Sequence, residues 1–300
     1  GNIIEDIAKS DIEVIIFRTH NAKEDIKTET IDSLASEVVK IPNSIKTASN
    51  LILSKCIDIL IYPEIGMSHF TYLLALSRLA LIQVLLHGHP NTSGLNEIDY
   101  FISCENYETK NSDKFYSERL IKLSRIPANY DFPKNKESKY SISNLNLPKD
   151  SLLLGIAHSP FKFHPDFDFI LDKVLEEIPN AYLFYADSKK EHQTNQLKYR
   201  WGKYTKLILK RTIFSPRLEF EDYLKVVKNL DFILDPFYFG MGSTFYEAMA
   251  CNIPVVTMPT NHIKSRFGFA AYNQMGINNA PIASSPEEYI SICKKLSYNK

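Results

Sequence analysis

"DPFYFGMGSTFYEAMACNIPVVTMP", residues 235–259, reads as the end of a strand, a turn carrying Gly240 and Gly242, a short helix opening at Ser243 and Thr244, and a second strand. Amides at a helix start have no intrahelical acceptor, and the aligned peptide dipoles make that end attractive to anions. A glycine-bearing turn leading into such a start is a candidate phosphate cradle. Glu247, one turn into the helix, is placed to accept hydrogen bonds from a ribose diol. A plainer reading fits the same residues: Ser243 caps the helix, and Glu247 is a first-turn acid favoured by the dipole.

Strand-like and helical runs alternate on both sides of this stretch. "LLLGIAH", a helix from Pro165 to Glu177, "AYLFYAD", a helix near 189–200, "TIFSP", "EDYLKVVKNL", "DFILDP" and "VVTMP" make one α/β array. Ahead of it, "IEVIIFRT", a polar helix through Ile31, "DILIYPEI", a helix around "TYLLALSRLA", "IQVLLH" and "IDYFIS" make another. Alternation of this kind predicts parallel sheets covered by helices. The polar, proline-containing stretch "DFPKNKESKYSISNLNLPKD" separates the two arrays. The reading is therefore two α/β domains, 1–135 and 151–300, joined by a linker at 136–150, with ligands expected in a cleft beyond the carboxyl ends of the strands.

Composition narrows the function classes. A chain of 300 residues, 44% hydrophobic, can bury two medium cores. With 35 basic and 35 acidic residues the net charge is zero, so no nucleic-acid partner is expected and any anion recognition must be local. The apolar run "LLALSRLALIQVLL" is broken by Arg78 and Gln83 and is shorter than the roughly 20 residues of a membrane span. No membrane span is expected, and a cytoplasmic location is. Cys56, Cys104, Cys251 and Cys293 stand far apart and read as buried free thiols in a reducing compartment.

Polar groups gather in the loops after the strands of the second array. "SPFKFHP" offers Lys162 and His164, and "PRLEFED" follows "TIFS". These loops and the glycine turn are expected to converge on one mouth, where a lysine point charge beside a helix start suits a diphosphate. His87 and His89 end "IQVLLH"; either can act as general base or donor near neutral pH, or be held structurally. His158 and His164 flank Lys162, and in "TNHIKSR" Lys264, Ser265 and Arg266 either hold a nucleotide or face solvent. "DFD", Asp166–Asp168, has the spacing of metal-binding carboxylates. It follows Pro165 in the first turn of a helix, where acids are favoured without an ion and positions i and i+2 do not face each other. No metal site is expected.

Four separated stretches, "LALIQVLLHGHPNTSGLNEIDYFIS", "SPFKFHPDFD" with "IPNAYLFY" after it, "RTIFSP", and "FGMGSTFYEAMACNIPVVTMP" with "SRFGFAAYNQMGI", resemble the catalytic region of the O-GlcNAc transferase-like family. That group includes cytoplasmic N-glycosyltransferases and SPINDLY-type enzymes. The resemblance runs in order from about residue 12 to 277. It implies two Rossmann-like domains facing across a cleft, the GT-B arrangement, with an acceptor-side domain first and a nucleotide-sugar domain second. It implies an inverting, metal-independent hexosyltransferase with no cofactor beyond its nucleotide-sugar donor, a UDP-sugar foremost, and a protein or glycan acceptor. Lys162 falls where the family supports the departing diphosphate, and Ser243, Thr244 and Glu247 where it binds phosphate and ribose. His89, Pro90, Thr92 and Ser93 match a loop that faces the donor from the first domain. The candidate catalytic residues are Lys162 and His89. The donor contacts are Lys162, Gly240, Gly242, Ser243, Thr244, Glu247, Pro90, Thr92 and Ser93.

The chain departs from the family pattern at Gly242, where many members have a histidine. Its opening "GNIIEDIAKSD" resembles the tail of the family's first helix, so a fragment whose first domain is truncated is expected. Two other classes of function fit the same architecture: a GT-B-type sugar-nucleotide epimerase, and a non-catalytic nucleotide-binding or scaffold module.

Overall fold

The computed structural model describes residues 2–128, 130–132, 138, 140–156, 158–187 and 190–298. The chain divides into two compact units, Gly1–Glu105 with Lys110–Asn129, and Asn106–Thr109 with Tyr130–Lys300. Residues 136, 137 and 139 of the expected linker lie outside the described residues. In its later part, Ile142–Leu145 form a 3-10 turn, and Ser138 Oγ donates to Asp222 Oδ1 at 2.8 Å, both within the second unit.

The first unit runs α1 (Asn2–Ile7), β1 (Ile15–Arg18), α2 (Ile26–Asp32), β2 (Glu37–Lys40), α3 (Ile45–Leu53), β3 (Ile59–Tyr62), α4 (His69–Ala75), β4 (Ile82–Leu86), β5 (Tyr100–Cys104) and β6 (Arg119–Leu123). β1 pairs with β2, and β3-β4-β5-β6 form a second sheet; every pairing is parallel. Helix starts are set locally: the side chains of Asp25, Ser44 and Ser68 accept from the amides of Thr28, Thr47 and Thr71. Leu60, Tyr62, Leu85 and Phe101 point into the core, as do Ala48 and Ile52 of α3 and Leu74 and Ala75 of α4. The opposite face of the four-stranded sheet is only partly covered: Val84, Leu86 and Ile102 are half-buried and Cys104 is buried. Ile59, Ile61, Ile82, Ile121 and Leu123 share it by register and are all exposed.

The second unit runs β7 (Leu152–Gly155), α5 (Pro165–Glu177), β8 (Ala181–Ala186), α6 (Glu191–Tyr204), β9 (Thr212–Ser215), α7 (Phe220–Val227), β10 (Phe232–Leu234), α8 (Ser243–Ala250), β11 (Val255–Val256), α9 (Phe267–Met275) and α10 (Pro286–Ser297). The five strands lie in the order β11-β10-β7-β8-β9, all parallel. β7 is buried along its whole length, as a central parallel strand should be. Phe167, Leu171, Val174 and Leu175 of α5, Trp201 of α6 and Tyr289 of α10 fill the core against it.

The elements expected from the sequence are present, with differences at three places. The alternation reading passed over β2, α3 and β6. The helix around "TYLLALSRLA" stops at Ala75, with Leu76 as its cap. The thiols are free but not uniformly buried: Cys104 and Cys293 are buried, Cys251 is intermediate, and Cys56 is exposed at φ 50 just past α3. Cys56 ends the turn that leaves α3, Cys56 N donating to Leu53 O, and the backbone there faces outward.

Candidate functional site

Strand order in the second unit reverses between β7 and β10, which are hydrogen-bonded neighbours although three other elements of sequence and two strands separate them. A crevice at the carboxyl ends of two such strands is where open α/β sheets place ligands. β7 leads into the loop holding His158 and Lys162; β10 leads into the glycine turn. The two loops meet. Lys162, at the end of the 3-10 turn Pro160–Lys162, donates through Nζ to the Gly240 carbonyl at 2.6 Å and lies 4.5 Å from the centre of the Phe239 ring. Burial pulls the Lys162 pKa below its ordinary value, and the attraction of Asp235 opposes that fall.

Asp235 holds the turn from beneath, a role not visible in the motif. It is buried; Oδ1 accepts from Met241 N at 2.6 Å and Oδ2 from Thr257 Oγ1 at 2.8 Å. A Cβ on residue 240 would stand 2.9 Å from Asp235 Oδ2, so this position requires the missing side chain. Burial pushes the Asp235 carboxyl up to about 6, against the opposing pull of its two hydrogen bonds and of Lys162. His158 is buried and reaches the neighbouring residue: its Nε2 lies 2.8 Å from Leu234 O, and burial drives its pKa down to about 3. The ring is neutral near pH 7, and Nε2 carries the proton that bonds the carbonyl.

Helix α8 starts without a side-chain cap. Gly242 occupies the cap position and no side chain bonds the first-turn amides; α6, α7 and α9 are also uncapped, whereas α2, α3, α4 and α10 are each capped by an Asp or Ser. The plainer reading of Ser243 as the cap is therefore replaced: Ser243 is the first helical residue and is exposed, with Thr244 half-buried beside it. Glu247 is half-buried, and desolvation raises its pKa. Its charge raises the pKa values of the Tyr130 and Tyr223 hydroxyls, secondary to their own burial. Tyr130 stacks on Tyr246 with ring centres 4.2 Å apart and planes at 15°. Neighbouring candidates have structural work. Arg266 donates from Nε to Tyr107 O at 2.8 Å and from Nη1 to Thr260 O at 3.2 Å, and Ser265 Oγ donates to His262 O at 2.8 Å. Lys264 meets the turn through its backbone, its carbonyl accepting from Gly240 N at 2.9 Å.

The "DFD" carboxylates are both engaged. Asp168 is buried and accepts from Arg200 Nε at 2.6 Å and from Trp201 Nε1 at 2.8 Å; Asp166 accepts from the Tyr238 hydroxyl at 2.9 Å. Among the described residues no group of three or more His, Cys, Asp or Glu is placed to hold a metal ion.

The loop after β4 in the first unit carries the remaining candidates. Gly88 is held close to the β3 loop, where a Cβ would fall 2.3 Å from Pro63 O. The His89 ring packs on Gly66, which has φ +117 and leaves its Cβ position 3.3 Å from His89 Nδ1. That nitrogen is buried and has no hydrogen-bond partner among the described residues. Pro90 is buried. Thr92 and Ser93 serve the loop itself through buried Glu118, which the motif reading missed: Thr92 Oγ1 donates to Oε2 at 2.7 Å, Ser93 N donates to Oε1 at 2.7 Å, and Ser93 Oγ also donates to Oε1.

No family model matches the chain. Over 238 residues, 79% of its length, it is 23% identical to a UDP-glucose:protein N-beta-glucosyltransferase of Actinobacillus pleuropneumoniae, and this match covers 38% of that protein. Over 228 residues it is 23% identical to the probable UDP-N-acetylglucosamine–peptide N-acetylglucosaminyltransferase SEC of Arabidopsis thaliana, covering 23% of it. The chain thus spans well under half the length of these curated relatives. Among solved structures, a variant of the Thermobaculum terrenum O-GlcNAc transferase superposes with a TM-score of 0.80 at 21% identity over 99% of this chain and 57% of that one. A glycosyltransferase from Rickettsia africae superposes with a TM-score of 0.52 at 12% identity, over 96% and 94% of the two chains. The fold class is the α/β, parallel-sheet architecture of the GT-B glycosyltransferases. Within that class, the chain is similar in sequence and in fold to members of the O-GlcNAc transferase-like family.

Proposed function

We propose that this chain carries the donor site of a glycosyltransferase that moves glucose or N-acetylglucosamine from a UDP-sugar to a protein or glycan acceptor, with inversion and without a metal ion. The relatives named above are a UDP-glucose:protein glucosyltransferase and a probable peptide N-acetylglucosaminyltransferase, which supports the donor and sugar classes. The observation that carries the reading is the junction at Gly240. One residue accepts the Lys162 ammonium on its carbonyl, rests on Asp235, and stands three positions ahead of the uncapped start of α8 at Ser243.

Negative charge grows on the β-phosphate oxygen as the bond from the sugar C1 to that oxygen breaks. A fixed ammonium and free helix-start amides stabilise that charge without reorganising. The acceptor attacks C1 from the opposite face, which inverts its configuration, and its proton passes to a base. His89, whose Nδ1 is buried against Gly66, is our candidate for contact with that chemistry through its other ring nitrogen. Glu247 would bind the ribose hydroxyls, a role suited to a half-buried carboxylate raised by desolvation. Metal independence is supported by the prior engagement of Asp166 and Asp168 in protein contacts.

The test is release of UDP from UDP-glucose and from UDP-N-acetylglucosamine in the presence of acceptor polypeptides, with and without EDTA. The reading predicts UDP release from at least one donor, unchanged by EDTA. Loss of release under EDTA with recovery on Mn²⁺ would overturn the metal-independent part, and interconversion of sugar nucleotides without acceptor would replace transfer by epimerisation.

A further inference from the structure

The first unit contains an open groove of about 530 Å³ that no part of the donor reading uses. Its lining follows the carboxyl ends of strands from both sheets: His20 and Asn21 after β1, Asn43 and Ile45 after β2, and Met67, Ser68, His69, Phe70 and Leu73 after β3. Its volume lies within the range of small-ligand sites, and its position is the one open α/β sheets favour.

The lining chemistry selects among ligands. None of the described lining residues is a lysine, arginine, aspartate or glutamate, and the nearby Glu64 carboxylate is already engaged by Met67 N at 2.7 Å, so the wall favours a neutral ligand. The polar groups are two carboxamides, two imidazoles and the Ser68 hydroxyl, all able to serve a neutral ligand, and a carboxamide offers a donor and an acceptor side by side. Ile45, Met67, Phe70 and Leu73 supply an apolar wall; Met67 is 71% exposed, and Phe70 meets His20 edge-on at 5.1 Å. A pyranose ring has this division, with C–H groups on its faces and hydroxyls around its rim.

We propose that this groove is a binding site for a neutral saccharide of one or two pyranose rings, with Asn43 hydrogen-bonding its hydroxyl rim and Phe70 covering a ring face. It involves only the first unit and does not depend on the nucleotide reading.

The test is titration of the 300-residue protein with glucose, N-acetylglucosamine and their β-linked disaccharides, followed by saturation-transfer NMR and calorimetry. Glycerol, glucosamine, glucuronate and a neutral Ser/Asn-containing peptide serve as controls. Binding of at least one neutral sugar, with the charged analogues weaker, is expected. Asn43→Ala and Phe70→Ala should each weaken it on the order of tenfold, the effect of one lost hydrogen bond or ring contact. Asn43 is exposed and precedes the α3 cap, so its replacement leaves the fold intact even if Phe70→Ala does not. Absence of sugar binding by the parent protein, equal binding by Asn43→Ala, or stronger binding of the peptide would each overturn the proposal. UDP affinity, measured in the same samples, reports separately on the donor site.

Discussion

Lys162, Asp235 and His158 are three titratable side chains around one turn, and burial acts on each in the direction that disfavours charge. In the proposed reaction the Lys162 ammonium is a fixed stabiliser of the departing diphosphate. Lys162→Ala should therefore lower turnover on the order of 10²-fold with the circular dichroism spectrum unchanged. The other two residues make opposite contributions to stability. Asp235 is raised from 3.8 to about 6, so the folded state holds its proton more tightly than the unfolded chain; that stabilisation is complete below pH 3.8 and lost as pH rises through 6. His158 falls from 6.5 to about 3, so its contribution is complete above pH 6.5 and lost as pH falls toward 3. Relative to the parent protein, Asp235→Asn should gain stability as pH rises from 4 through 6, and His158→Gln should gain it as pH falls over the same interval. Urea unfolding across pH 4–7 checks both; parallel curves for parent and variants would contradict the assignments.

At the level of elements, the glycine turn and α8 were legible because strand, Gly-containing turn and helix follow one another in twenty-five residues. α5 was legible for a similar reason, Pro165 at its start marking the first helical position. β2 and β6 were not, because each is short and alternates: "EVVK" buries one residue of four, and "RLIKL" turns apolar side chains outward. Asp235 was illegible as a support because its partner Thr257 lies 22 residues away, and Glu118 because it bonds a loop 25 residues earlier. The two glycines before α8 differ in a way the sequence does not express. A Cβ at residue 240 meets Asp235 at 2.9 Å, while one at residue 242 meets nothing within 4 Å. Gly240→Ala should displace Asp235 from Met241 N, costing about 1–3 kcal/mol and loosening the Lys162 contact. Gly242→Ala should keep the turn. Thermal unfolding and UDP affinity of the two variants decide it, and equal behaviour would remove Asp235 as the support.

At the scale of the whole molecule, each compact unit is built on parallel sheets, yet they differ in cover. The second unit buries β7 and β10 completely. The first leaves an apolar sheet face only partly covered, with Ile59 54%, Ile61 45% and Leu123 40% exposed. Parallel sheets are ordinarily covered on both faces, and a partly open apolar face of this kind drives association. The 300-residue chain should therefore self-associate as its concentration rises, and Ile61→Lys with Ile121→Lys should reduce that association; sedimentation velocity at several concentrations measures both. Among the described residues no helix is long and apolar enough to cross a membrane.

If Lys162 and the start of α8 form a diphosphate cradle, calorimetry of UDP binding to the parent chain and to Lys162→Ala, both in EDTA, will show it. A single UDP site is expected in the parent protein, with affinity at least about tenfold weaker in the folded variant, as for loss of one charged hydrogen bond. No UDP binding by the parent, or equal affinity in Lys162→Ala, would contradict it.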